Sequence, residues 1–432
     1  MDRVDAEQDA LIRSVTAGGP LPAGIAAARL DRYARSLLAK RQAEVERTFP
    51  RTLAVAPDAG QRYRRWLRDN PAPHGDTPLG PGLSEALRAL PLLRTLGDPE
   101  WAGELLAWEV LSRATRADGV ERTLHAAWAV DEAARDIAAG IAPDPRPVRT
   151  SYRFTRSLPV VTAGAPRILA ERPLFGVGWR RPLADALAAD PPDVVEVTAD
   201  HFFGDPAGIE ALAERSAIVL HDVGCSIGSR ARDPARLRRL ADLVRRSRPL
   251  LFSDHLAITR SPSGIDVGHL CPIAPTWDQL AVVVDRVAEL QDALGVPVAL
   301  ENIATPFRIP GDMDEEAFFG ELVHRTGCGL VVDVTNALYD ARNDGYDAWE
   351  RLSRLPLHAA VQVHLAGGDA RGDWWIDSHA ADVEDASFDL LSRLRGVAPL
   401  VAVIVERDAR LPAAAVLLAE AGRAREVWHG SR

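Results

Sequence analysis

The sequence predicts a (β/α)8 barrel at its C-terminal end, preceded by an α-helical domain. Two observations carry this expectation. From residue 173 onward short β-rich runs alternate with helical segments, and the region is close in length to the ~250 residues of such a barrel. Before residue 140 the rhythm is helical instead, with apolar residues at three- and four-residue spacing.

The β-rich runs are Leu174–Trp179, Val194–Thr198, Ala217–His221, Leu250–His255, Val298–Asn302, Leu330–Val334, Val361–Ala366 and Val401–Glu406. Most are nearly continuous apolar stretches, as expected of parallel strands covered on both sides. Helical segments such as Trp277 to Leu294 and Glu316 to Thr326 lie between them, and Gly327 supplies a C-terminal stop for the latter. A doubly wound open sheet is the competing topology, but it calls for a Gly-rich first turn that the sequence lacks.

In the N-terminal half, Arg29 to Phe49 places Leu30, Tyr33, Leu37, Leu38 and Val45 at helical spacing, and Pro50 ends it. Gly60 to Asp69, Leu83 to Leu96, Trp101 to Ala114 and Val120 to Ala139 are further expected helices. Residues 141–172 form a Pro-punctuated connector in which Thr150 to Val161 can pair as a strand. The expected division is therefore a helical domain over 1–140, the connector, and the barrel over 173–432.

Composition narrows the function. The chain has 432 residues, 47% hydrophobic and 26% charged, which is ordinary for a globular protein. Lys plus Arg total 51 against 61 Asp plus Glu, a net charge of −10, which argues against nucleic-acid binding. No apolar run reaches the ~18 residues of a membrane span, and the acidic start has no signal-peptide pattern, so a cytoplasmic protein is expected. Only Cys225, Cys271 and Cys328 occur, without a C-x-x-C pair, so any metal must be held by nitrogen and oxygen.

Such ligands stand at the strand ends. Glu196, His221, His255, Glu301, Asp333, His364 and Glu406 close successive runs, and barrel closure brings strand ends to one face. Asn336, Asp377 and His379 follow two of the runs, and four of the eleven histidines fall in this set. Singly, each has a plainer role, such as Asp333 capping the next helix. Together they predict a metal site. Carboxylates, imidazoles and an amide without thiolate suit Fe, Mn or Zn. The ligands exceed what one ion needs, so two or three metals sharing carboxylates are inferred.

At these residues the chain resembles the multinuclear non-haem iron-dependent oxidative enzymes, the family that includes the methanobactin-forming iron enzyme. The resemblance covers residues about 174 to 415. Its segments are Gly176-Val177-Gly178-Trp179, His221-Asp222-Val223-Gly224-Cys225-Ser226-Ile227-Gly228, Ser253-Asp254-His255-Leu256, Glu301-Asn302-Ile303, Asp333-Val334-Thr335-Asn336, His364-Leu365-Ala366-Gly367, Asp377-Ser378-His379 and Glu406-Arg407-Asp408. It implies a xylose-isomerase-like TIM barrel holding two to three iron ions in mixed Fe(II)/Fe(III) states. It also implies O2-dependent oxidation of a residue, often cysteine, in a ribosomally made precursor peptide.

By motif position the resemblance carries over His221, His255, Glu301, Asp333, Asn336, His364, Asp377, His379 and Glu406 as metal ligands. Asp408 and Asp222 become the catalytic carboxylates, although Asp222 stands where the family has Gly. Asp200-His201 likewise replaces a Glu-Asn pair after the second strand. Both are expected near the substrate face, which bears on substrate identity.

Family members work with a separate partner that engages the precursor. Arg29 to Pro50, Arg62-Tyr63-Arg64-Arg65-Trp66-Leu67 and Leu105-Leu106-Ala107-Trp108-Glu109 resemble such partners, so a fused peptide-docking domain could replace a separate recognition protein. The basic helix itself, with Arg29, Arg32, Arg35, Lys40, Arg41 and Arg47, reads either as a solvated face or as a seat for an acidic peptide. Two rival functions remain at this stage. One is a zinc- or manganese-dependent isomerase or phosphodiesterase on a similar barrel; the other is a non-catalytic metal- or peptide-binding protein.

Overall fold

The computed structural model describes residues 3–17, 20, 24–69, 81–93, 99–118, 122–128, 130–138, 142, 143, 145, 147–154, 173–305 and 307–430. The N-terminal elements are α1 (Arg3–Ala17), α2 (Ala27–Glu46), α3 (Pro50–Val55), α4 (Asp58–Asp69), α5 (Pro81–Leu93), α6 (Ala102–Asp118), β1 (Arg122–Trp128), α7 (Val130–Ala138) and β2 (Pro147–Phe154). The following strands are β3 (Leu174–Gly178), β4 (Val194–Thr198), β5 (Ala217–His221), β6 (Phe252–His255), β7 (Ile258–Arg260), β8 (Asp266–Cys271), β9 (Val298–Glu301), β10 (Gly329–Asp333), β11 (Ala360–Leu365), β12 (Gly367–Arg371), β13 (Trp374–Ala381) and β14 (Ala402–Val405). Among the helices between and after them, α8 (Ala184–Ala189), α9 (Pro206–Ala213), α10 (Pro234–Ser247), α11 (Trp277–Leu294), α12 (Glu315–Thr326) and α13 (Val334–Asp344) come first. Then come α14 (Ala348–Leu352), α15 (Asp385–Leu394) and α16 (Ala414–His429).

Eight parallel strands close in the order β10-β11-β14-β3-β4-β5-β6-β9, each overlapping a predicted run. Alternation along the strands explains what fills the barrel. In β4, Val195 and Val197 pack outward, while Val194 joins Val219, Ala299, Val331 and Ile404 in the apolar lower interior. Two positions further along the same inward faces stand Glu196, His221, Glu301 and Asp333. The bottom is greasy and the top is polar.

The surrounding helices begin and end on local signals. Thr276 caps α11 by accepting from the Gln279 amide at 3.1 Å, and Asp314 caps α12 by accepting from the Ala317 amide at 2.8 Å. Gly295 and Gly327 terminate them at φ of 64° and 67°. Two antiparallel hairpins interrupt the β/α alternation, β7–β8 after β6 and β12–β13 after β11.

The N-terminal half departs most from expectation at β1, and it contains two helices, α1 and α3, that were not expected as separate elements. Val120 to Ala139 is not a single helix: Arg122–Trp128 is a strand paired antiparallel with β2, and only Val130–Ala138 is helical. Leu124 and Ala126 are buried on one face, a period of two. The partner Pro147–Phe154 is rich in β-formers, so pairing overrides the weak helical preference of β1. Thr150 to Phe154 of the expected connector strand lies in β2, while 155–172 lies outside the described residues. Helix α1, absent from the sequence expectation as a separate element, packs against the barrel.

The described residues of 3–118 bury their side chains in several cores, two of which set the position of α2. Val45, Phe49, Tyr63, Leu93, Leu106 and Val110 share a core formed within the N-terminal half. In contrast, Leu11, Ile12, Leu30, Tyr33 and Leu37 bury against Ile258, Val267, Cys271 and Phe307 of the barrel region. Tyr33 donates its hydroxyl to the Leu270 carbonyl at 2.6 Å, and Gln8 donates to the Gly228 carbonyl at 2.7 Å. Helix α2 is thus clamped onto the β7–β8 hairpin.

That clamp depends on Gly268. Its φ is +70°, and a Cβ there would lie 2.7 Å from Cδ of Arg41, whose side chain is buried and has little room to yield. Gly268→Val is expected to cost about 2 kcal/mol or more, from left-handed backbone strain and displacement of α2. A lowered melting temperature with faster proteolysis of α1–α2 checks this. An unchanged melting temperature would contradict it.

Candidate metal centre

The strand ends deliver their side chains to one level because the register aligns them. His255 lies opposite Glu301 in the β6–β9 pair, and Asp333 lies opposite His364 in β10–β11. Glu301 is central. Its Oε2 is 3.5 Å from His255 Nε2 and 3.9 Å from His221 Nε2, while its Oε1 is 3.2 Å from His364 Nδ1. Donor atoms of His221, His255 and Glu301 lie within 4.8 Å of one another, and so do those of Glu301, Asp333, His364 and Glu406. The two groups share one carboxylate.

The β13 strand supplies a third side. Asp377 and His379 lie in the irregular stretch of the β12–β13 pairing, after the regular register ends at Ile376, and their side chains meet there. His379 Nε2 is 2.7 Å from Asp377 Oδ1 and 4.0 Å from Asp333 Oδ2. His379 has a φ of +46°, unusual for a residue with a side chain, and its carbonyl accepts from the Asp408 amide at 2.8 Å. Backbone strain of this kind persists where surroundings hold it, often at functional sites.

Asp333 performs both roles open to it. Its Oδ1 caps α13 by accepting from the Asn336 amide at 2.7 Å, and its Oδ2 is left facing the cluster. Asn336 donates through Nδ2 to the Asn302 carbonyl at 3.2 Å, which leaves its Oδ1 free. Glu301 Oε2, Asp333 Oδ2, Asn336 Oδ1 and His255 Nδ1 are buried without a hydrogen-bond partner. Buried polar atoms without partners are costly unless something binds them. Convergent carboxylate, amide and imidazole donors fit a divalent transition-metal ion.

The electrostatics point the same way. Burial opposes charge on His255, but Glu301, Asp254 and Glu406 outweigh it and lift its pKa to about 9. Burial likewise opposes charge on His364 and His379, yet neighbouring carboxylates push both well above the usual histidine range. Glu301 is held at about 2, its burial overcome by His364, His255 and His221. Asp333 is pushed well up by burial, then by Asp377 and Glu301. The charged histidines thus hold Glu301 down, while Asp333 is left unanswered among its carboxylate neighbours.

A pH dependence follows. The folded pKa of His255 lies above its ordinary value of 6.5, so its contribution is complete below pH 6.5 and disappears as pH rises through about 9. Metal-free protein is expected to lose up to about 3 kcal/mol across that window. Metal must displace the same proton, so uptake near neutral pH releases protons and tightens toward pH 9. Thermal melts and pH-indicator titration of metal-free protein check both signs. Metal affinity that falls from pH 6.5 to 9 would contradict them.

Around these residues stand groups not singled out from sequence. Gln362 donates to Glu196, and His364 Nε2 lies 2.9 Å from the same carboxylate, fixing the ring from behind. Ser253 Oγ lies 2.9 Å from His221 Nδ1. Each stands two residues before a histidine on its strand, on the same face, which was a readable signal. Arg180, just past β3, donates to Asp408 at 2.6 Å and lies 3.5 Å from Glu406. Asp408 also lies 3.1 Å from His379 Nδ1, at the half-exposed rim.

Asp222 stands apart from this cluster. It is fully buried, its Oδ2 accepts from Arg236 Nε at 2.9 Å and from the Cys225 thiol at 3.1 Å, and its Oδ1 pairs with Arg236 as well. Cys225 belongs to this group, with Asp254 accepting from its amide at 3.0 Å. Of the Asp200-His201 pair, Asp200 lies 3.0 Å from Arg236, and the His201 ring is tilted against Trp179. Burial, then Arg180 and Arg181, lowers the His201 pKa to about 4.

Comparisons place the chain among known sequences. Residues 174–429 match the model of the RiPP precursor modification enzyme family MbnB/TglH/ChrH, whose substrates are ribosomally made peptides. Residues 5–78 match the C-terminal domain of SCO6045-like proteins. A UPF0276 protein of Bordetella parapertussis is 40% identical over 263 residues, covering 57% of this chain and 90% of that protein. One from Caulobacter vibrioides is 36% identical over 269 residues, 60% of this chain and 95% of that one. A relative from Streptomyces avermitilis is 35% identical, over 58% of this chain and 54% of its own length.

Similarity to solved structures is weaker. The IOLI protein with a bound zinc atom is 15% identical with a TM-score of 0.43, over 60% of this chain and 99% of that one, too low to bear on function. No described helix is long and apolar enough to cross a membrane. With its barrel matched from the first strand to the last helix, the chain belongs to the MbnB/TglH/ChrH family of RiPP precursor modification enzymes.

Proposed function

We propose that this protein is a multinuclear iron-dependent oxidase or oxygenase that modifies a residue, often cysteine in this family, of a precursor peptide. The observation that carries the reading is the shared carboxylate of Glu301, with one oxygen facing His221 and His255 and the other facing His364. His221 and His255 would hold one ion, and His364, Asp333 and Glu406 a second. Asp377, His379 and Asn336 supply donors enough for a third. Bound there, ferrous iron would supply the electrons that activate O2.

The protein's own residues prepare the site. Glu196 and Gln362 fix the His364 ring, as outer partners of ligating histidines do. Arg180 holds Asp408 beside His379 at the rim, where a carboxylate can accept or return a proton from substrate. The barrel walls exclude water from the inner donors.

O2 consumption tests the reading. Iron-loaded protein with its cognate precursor should consume O2 and change the peptide mass, and zinc-loaded protein should not. Equal turnover with zinc would favour the isomerase or phosphodiesterase reading.

A further inference from the structure

The pocket over the metal-site residues is not built by the barrel alone. A cavity of about 110 Å3 has His255, Glu301 and His379 in its lining. Helix α2 supplies another side of it through Arg29, Arg32, Tyr33 and Ser36. The hairpin strand β13 contributes Trp374, Trp375 and Asp377. Residues more than two hundred positions apart therefore meet at one opening.

The two arginines of that wall are in different states. Arg29 lies 2.6 Å from Asp344, which also receives Arg308 at 3.0 Å, so its charge is already answered. Arg32 is exposed, and its guanidinium carbon sits 4.4 Å above the Trp374 ring. Among the described residues no carboxylate pairs with it. Stacking on an indole orients a guanidinium while leaving its in-plane N–H groups available, and that fork matches a carboxylate.

The wall is also held in place. Tyr33 is anchored to the Leu270 carbonyl, and Lys40 lies 3.2 Å from His269, another residue of the cavity lining. Trp374 precedes Asp377 by three residues on one strand, a separation of ~10 Å at the usual strand rise. An extended peptide covers that distance in about three residues.

We propose that α2 completes the substrate pocket and that Arg32 binds a carboxylate of the peptide, about three residues from the position presented to the metal centre. The inference rests on the metal-centre reading above. The carboxylate belongs either to an acidic side chain or to the peptide's C-terminus, and both offer the same planar, bidentate acceptor. The SCO6045-like segment would then act at the active site itself and select substrates by charge.

Calorimetry on iron-loaded protein under nitrogen tests this with three acetylated tripeptides. Ala-Ala-Asp amide offers a side-chain carboxylate, Ala-Ala-Ala free acid offers a terminal one, and Ala-Ala-Asn amide offers none. At least one carboxylate probe should bind about ten-fold more tightly than the neutral amide, and the better of the two identifies the source. Arg32→Gln should abolish that preference and leave the neutral probe unchanged, whereas Arg32→Lys should retain part of it. Equal binding of the carboxylate probes to wild type and Arg32→Gln, or no preference in wild type, overturns the proposal. Iron content measured on each sample separates the two levels. Wild type without iron defeats the functional reading, while iron-loaded protein with carboxylate binding independent of Arg32 defeats this inference alone.

Discussion

Glu301→Gln is expected to strip metal from both sides of the centre at once. The amide preserves size but removes the charge, and it turns one of two acceptor oxygens into a donor. Because the two oxygens face different histidines, the change reaches both proposed ions. It also leaves neighbouring cations less neutralised in a buried pocket, where their repulsion is weakly screened. Affinity should fall by ~100-fold or more, the scale of removing one partner from a buried charge cluster. His255→Ala, which removes a ligand facing one side only, should lose roughly one ion. Elemental analysis of the variants after dialysis against a weak chelator measures the difference. Equal losses would contradict the bridging role.

Asp222→Ala is expected to act on stability. Removing this carboxylate leaves the Arg236 guanidinium buried with Asp200 as its remaining acid partner among the contacts described above, and the Cys225 thiol loses its acceptor. Breaking a buried ion pair from one side costs about 3–5 kcal/mol. Denaturant unfolding should show that loss, while folded variant retains its metal. If Asp222 acted as a catalytic acid or base, folded Asp222→Asn protein would lose turnover with its metal retained. That outcome would support the catalytic role expected for Asp222 from the sequence.

The barrel was legible in the sequence because seven of its eight strands repeat one pattern. Apolar residues face outward and at the bottom, and a His or carboxylate closes the top, as in Val298-Ala299-Leu300-Glu301. Seven strand ends written that way converge in any closed parallel barrel. The helices around them were readable from caps and C-terminal glycines.

What stayed hidden depends on long-range pairing. Arg122–Trp128 carries no strong local preference, and only its partner β2 makes it a strand. The role of α2 as a pocket wall was equally unreadable, because Arg32 and Trp374 meet only once the hairpin forms over the barrel mouth. The basic face of that helix allowed two readings, solvated surface or acidic-peptide seat. Asp222 looked like its neighbours in the motif, and only its placement against Arg236 sets it apart.

A centre of more than one iron built around Glu301 leaves a direct signature. Protein purified without oxygen from iron-supplied cells, assayed by elemental analysis alongside Mössbauer spectroscopy, tests it most directly. The expected result is about two to three irons per chain with magnetically coupled signals, which collapse in Glu301→Gln. One tightly held zinc per chain, unchanged by that substitution, would contradict it.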